Sequence, residues 1–110
     1  MSKPELYDLD SLKQIARGDE DFIHKMLEIF KKLGRETIVN FQQALENEDW
    51  EMAGKAAHKV KPSIDQLNIS SIKGTVRKIE DFPKKKGDTE DVKQWIEEVT
   101  ETLKRVMADL

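Results

Sequence analysis

Two histidines and no cysteine occur in this chain of 110 residues, so nucleophilic chemistry near neutral pH rests chiefly on an imidazole. His58 lies in the run Gly54-Lys55-Ala56-Ala57-His58-Lys59-Val60-Lys61-Pro62. The apolar residues around it, Trp50, Ala53, Ala57, Val60, Ile64 and Leu67, recur in steps of three and four, which predicts a helix with one buried seam. At about 100° per residue, His58 falls roughly 130° from the centre of that seam and faces solvent. Lys55 and Lys61 stand three residues to either side, within reach of a group carried on the ring. Their charges favour the neutral imidazole, whose lone pair attacks phosphorus, and then offset charge on the phosphoryl oxygens. Gly54 and Ala57 keep the surroundings low, so that another protein can approach. No base or metal is supplied nearby. A partner would have to bring Mg²⁺ and the other reacting group, and this chain would carry the phosphoryl group without cofactors of its own. From the residues alone, a phosphoryl acceptor and a plain surface histidine in a basic patch both remain open.

His24 faces away from its own helix's seam too, but its helical neighbours are Glu20, Asp21 and Glu28, which would repel a phosphoryl group. It reads as an ordinary surface histidine. Asp21-x-x-His24 has the spacing of half a metal site in a bundle, yet Lys55 occupies the matching carboxylate place before His58, and no metal site is expected. Lys73-Gly74-Thr75 lacks the glycine spacing of a phosphate-binding loop, so no nucleotide site follows.

The elements that must position His58 are helical. Hydrophobic and charged residues each make up 37% of the chain, and 5 Gly, 3 Pro and 6% aromatics leave too little turn and strand chemistry for a sandwich or barrel. A short first helix is expected, with Asp8 as N-cap, Leu9, Leu12 and Ile15 as its apolar residues and Gly18 as its stop. Leu9, Leu12 and Ile15 serve either to cover the bundle end or to contact a partner. A long second helix begins between Asp19 and Asp21 and carries Phe22, Ile23, Met26, Ile29, Phe30, Leu33, Thr37, Phe41 and Leu45. Residues 46–49 form a loop before the His58 helix. Ser70 or Ser71 caps a fourth helix bearing Ile72, Val76, Ile79 and Phe82, which Pro83 stops; residues 84–88 are a lysine-rich loop. The last helix starts near Thr89 and presents Val92, Trp95, Ile96, Val99, Leu103, Val106 and Met107. Short connections then give one domain over residues 1–110, an all-α, antiparallel up-down-up-down bundle of four helices led by a short one.

The net charge of −3 is uneven. Residues 1–54 hold 7 bases and 12 acids, residues 55–78 hold 6 bases and 1 acid, and residues 79–110 hold 6 bases and 9 acids. A basic island around His58 thus sits in an acidic chain, suited to a phosphate or an acidic protein surface. It has no interleaved aromatics, which argues against nucleic acid. No stretch is long and apolar enough for a membrane span, and the N-terminus does not resemble a signal peptide, so a cytoplasmic monomer is expected.

The run from Ala57 to Ile69, AHKVKPSIDQLNI, resembles the signature of histidine-containing phosphotransfer (HPt) domains, roughly H-x-L-K-G-S-x-x-x-L-G. The resemblance implies an antiparallel four-helix bundle and a phosphorelay role. The histidine would accept a phosphoryl group from a receiver-domain aspartate, in a response regulator or hybrid sensor kinase, and pass it to another. By position, His58 would be phosphorylated, Lys61 would stabilise charge, Ser63 is the small hydroxyl residue and Leu67 the buried one. Glu80 matches a place where related domains often hold Gln or Glu able to bond the ring. Pro62 and Asn68 replace the pattern's two glycines. Because proline lacks the N–H that would bond the His58 carbonyl, a kink or local loosening is expected at the site. Docking would use the surface around His58 with the first two helices. The alternative is a helical interaction module that binds a receiver or another acidic partner without transfer.

Overall fold

The computed structural model describes residues 6–110; the first five residues of the expected domain lie outside the described part. The described chain is five helices with no strand: α1 (Asp10–Ala16), α2 (Glu20–Asn47), α3 (Trp50–Gln66), α4 (Ser70–Lys85) and α5 (Thr89–Asp109). The ends follow elementary capping chemistry. The side chains of Asp19, Asp49 and Asp88 accept from the first-turn amides of Phe22, Met52 and Glu90, and Arg17, Glu48 and Lys86 close α1, α2 and α4 in the left-handed region. Asp8 sits one residue outside the cap of α1, which is Leu9, although its carboxylate still accepts from the amide of Asp10 at 3.2 Å.

Helix α2 packs on α3 and α5, and α4 packs on the same two helices, so the four longer helices close a ring while α1 lies on α2. Phe41, Val60, Ile64, Ile72, Ile79, Ile96 and Leu103 are sealed inside. Their spacing is the one the sequence displays, because a stripe at 3.6-residue periodicity can be buried only by a neighbour on each side. Ile15 and Ile29, expected in that stripe, are both 58% exposed. Their helices have apolar arcs wider than the contact with their neighbours. Gly34 is buried where α2 meets α5, and a Cβ there would stand 2.7 Å from Met107 Sδ. Buried Thr37 donates its hydroxyl to the Leu33 carbonyl at 2.8 Å, which satisfies the polar group within its own helix.

Three further boundaries differ from the sequence expectation. Residues 46 and 47 complete α2, so the loop before α3 is only Glu48 and Asp49. Pro83 does not stop α4, which continues to Lys85, and neither Ser70 nor Ser71 is its N-cap, a place held by Ile69 without a side-chain bond. The pyrrolidine of Pro83 removes one backbone bond near the C-terminal end, where α4 is already held by burial of Ile79 and Phe82. Phe82 stands edge-on to Trp50 of α3 and Trp95 of α5, with ring centroids 6.1 and 6.4 Å away, and so ties three helices together at this level.

Candidate functional site

His58 projects from the outer face of α3, as its angle from the seam requires, and its side chain is 72% exposed. Its partner comes from α4. Glu80 Oε2 lies 2.5 Å from His58 Nδ1, and the other carboxylate oxygen, Oε1, accepts from Lys61 Nζ at 2.7 Å. An ionised carboxylate can only accept, so in the neutral imidazole Nδ1 carries the proton and Nε2 keeps the free lone pair. The Lys61 ammonium, and after it the His58 ring, hold the Glu80 carboxyl below its ordinary range, so it is ionised throughout the physiological span.

The close approach of α4 has a visible cause. Gly54 is buried, and a Cβ built there would meet Pro83 Cγ at 3.0 Å and the Glu80 carbonyl at 3.3 Å. Ala57 is also fully buried. These small residues therefore do not form the bare external surface expected of them. They let the α4 backbone settle against α3 one turn before His58, which brings Glu80 within bonding distance. The shallow recess at the imidazole is lined by Glu51, Gly54, Lys55, His58, Glu80, Pro83 and Lys84.

Lys55 lines that recess. Lys61 belongs to the site but is paired with Glu80. Pro62 is exposed within unbroken helix, so the loss of one bond to the His58 carbonyl does not end α3. Ser63 is half-buried and lies about 140° around the helix from His58, so it is not brought to the ring. Asn68 takes the left-handed conformation, φ 51°, that the family's glycine would supply; its amide donates to Asp8 Oδ2 at 2.7 Å and its oxygen accepts from Lys73 Nζ at 2.6 Å. Lys84 is the residue that the sequence reading left out. Treating Pro83 as a stop put it in a loop, whereas its four-residue spacing from Glu80 places it on the same helical face.

An all-helical protein that displays a histidine to solvent, with the ring held from the adjacent helix and lysines around it, has the layout of a histidine phosphotransfer module. The family model of the Hpt domain matches residues 25–109, a span that contains His58, Lys61 and Glu80, and the chain belongs to that family. No curated protein and no solved structure shows a significant match to the chain. Hpt domains serve histidine phosphotransfer in two-component phosphorelays and interact with receiver domains. Among the described residues, no helix is long and apolar enough to cross a membrane.

Proposed function

We propose that this chain is a phosphorelay carrier that accepts a phosphoryl group on Nε2 of His58 from a receiver-domain aspartate and returns it to the aspartate of another receiver. The observation that carries this reading is the exposed imidazole whose Nδ1 is bonded to Glu80, because that bond leaves Nε2 as the outward nucleophile. The Nε2 lone pair attacks the phosphorus of the acyl phosphate. The N–P bond forms as the P–O bond breaks, and that electron pair leaves on the partner's carboxylate. The proton on Nδ1 stays on the ring, which becomes a phosphoimidazolium whose positive charge faces Glu80. The reverse sequence discharges it. Mg²⁺ comes with the receiver's acidic site, and the carrier needs no cofactor of its own.

Several features support the rest of the assignment. Connections of two or three residues between α2, α3, α4 and α5 favour an antiparallel up-down-up-down bundle in one domain. The groove between α2 and α3 beside the site is lined by Asn40, Met52 and Ala56 together with the acids Asp49 and Glu51 and the lysines Lys55 and Lys59, and half-exposed Val39 adjoins it on α2. Lys55 and Lys59 on this mixed surface offer cations to a receiver, whose phosphoacceptor end is acidic. The form proposed for this role is a cytoplasmic monomer.

The test is incubation with a phosphorylated receiver and Mg²⁺. The expected product is a phosphoryl group on this chain that is labile in acid and stable in alkali, absent in His58→Gln. Binding of the phosphorylated receiver without transfer, across a panel of receivers, would instead make the chain an interaction module.

A further inference from the structure

We propose that the lysines divide the work at this site: Lys84 and Lys55 meet the phosphoryl oxygens, while Lys61 acts on Glu80 as a positioning residue. This rests on the carrier reading above. Lys61 stands three residues from His58 and is the obvious countercharge, but its ammonium is engaged by Glu80 at 2.7 Å, and both side chains are largely covered, 27% and 22% exposed. Drawing Lys61 to a phosphoryl group would break an ion pair and unseat the carboxylate that orients the ring. Lys84 and Lys55 carry no such commitment. Both line the recess that contains His58, both are exposed, and neither takes part in an ion pair among the described residues.

Their arrangement follows from the backbone. Because α4 runs through Pro83, Lys84 occupies the helical position one turn beyond Glu80, and because Gly54 admits α4 closely, that turn faces Lys55 across the recess. Two lysines from two helices thus share the recess with His58, while Lys61 is not among its lining residues, and Glu51 is the one other acid there. Long, unpaired lysines are suited to this task, since they can follow the phosphoryl group as it passes between nitrogen and oxygen.

The experiment uses phosphoramidate, a small phosphoryl donor that requires no docking, and compares wild type with Lys84→Met, Lys55→Met, Lys61→Met and the neighbouring control Lys85→Met. Phosphohistidine formation is followed by ³¹P NMR and the His58 ring by ¹⁵N NMR. Lys84→Met is expected to slow phosphorylation about fivefold to tenfold, the scale of one lost, partly screened charge contact, and the double variant with Lys55→Met more. Both should leave the Nδ1–H tautomer unchanged, as should Lys85→Met, which should also keep the wild-type rate. Lys61→Met should disturb the ring signals. Lys84→Met behaving as Lys85→Met, or Lys61→Met losing rate with ring signals unchanged, overturns the division of labour while His58 still takes the phosphoryl group. A wild type that takes no phosphoryl group on His58 overturns the carrier reading together with it.

Discussion

Substitution of Gly54 tests directly whether helix spacing sets the reactive ring. An alanine Cβ would lie 3.0 Å from Pro83 Cγ, 3.4 Å from its Cδ and 3.3 Å from the Glu80 carbonyl oxygen. Ordinary contact begins near 3.4 Å, so α4 must retreat by a few tenths of an ångström. Neither obstacle can swing aside, since one is a closed ring and the other is backbone. Overpacking of this kind costs about 1–3 kcal/mol, whereas replacing glycine by alanine inside a helix returns about 1 kcal/mol. The expected result for Gly54→Ala is a net loss of about 0–2 kcal/mol in urea denaturation. A retreat of that size stretches the 2.5 Å bond between His58 and Glu80 without breaking it, so the Nδ1–H tautomer should persist. Gly54→Val adds two branches to the same crowded space and should separate the helices far enough to release the ring. Its ¹⁵N spectrum should then show a mixture of imidazole tautomers in a protein that still folds. A Gly54→Ala variant stabilised by the full helix-propensity gain, with wild-type phosphorylation in Gly54→Val, would refute the claim that Gly54 positions Glu80.

Glu80→Gln should keep the side chain's size but remove the charge that faces the phosphoimidazolium, lowering the phosphorylation rate and lengthening the half-life of phosphohistidine, both measurable by ³¹P NMR. Glu80 and Asp8 are held below their ordinary carboxyl range, the first mainly by Lys61 and then His58, the second mainly by Asn68. Depressed folded-state values mean stability that is present above about pH 4 and lost as pH falls through them, so urea midpoints at pH 7 and pH 3 should differ, and less so in Glu80→Gln. Asn68→Gly should retain the left-handed turn but lose the bond to Asp8, raising amide exchange in α1 while leaving α3 protected. Phe82→Ala should cost about 3–5 kcal/mol, because it empties the space between two tryptophans in a buried position.

The seams of α2, α3 and α5 were legible because burial at 3.6-residue spacing leaves a pattern that few alternatives share. His58 was legible for the complementary reason: a side chain far from the seam must face outward. Gly54 was identified, but with its role inverted. A small residue beside an exposed histidine looks like open surface until the neighbouring helix is in place, and no local pattern shows how close that helix comes. The pairing of Lys61 is hidden for the same reason, since its partner Glu80 lies on another element. Pro83 misled because proline's effect depends on where it falls. In mid-helix it can kink or break the element, whereas in the closing turns, as at Pro62 and Pro83, the helix runs on past it. That single misplacement put Lys84 in a loop and out of the site.

Trp50 and Trp95, the chain's only tryptophans, both lie against Phe82, two residues beyond Glu80. Lys78 Nζ sits 5.6 Å from the centre of the Trp95 ring, over its face. The natural fluorophores therefore bracket the stretch of α4 that carries the carboxylate, with a cation beside one of them. Emission excited near 295 nm becomes an intrinsic optical gauge of how that helix is seated, available in the unlabelled protein during the phosphorylation and receiver-binding tests.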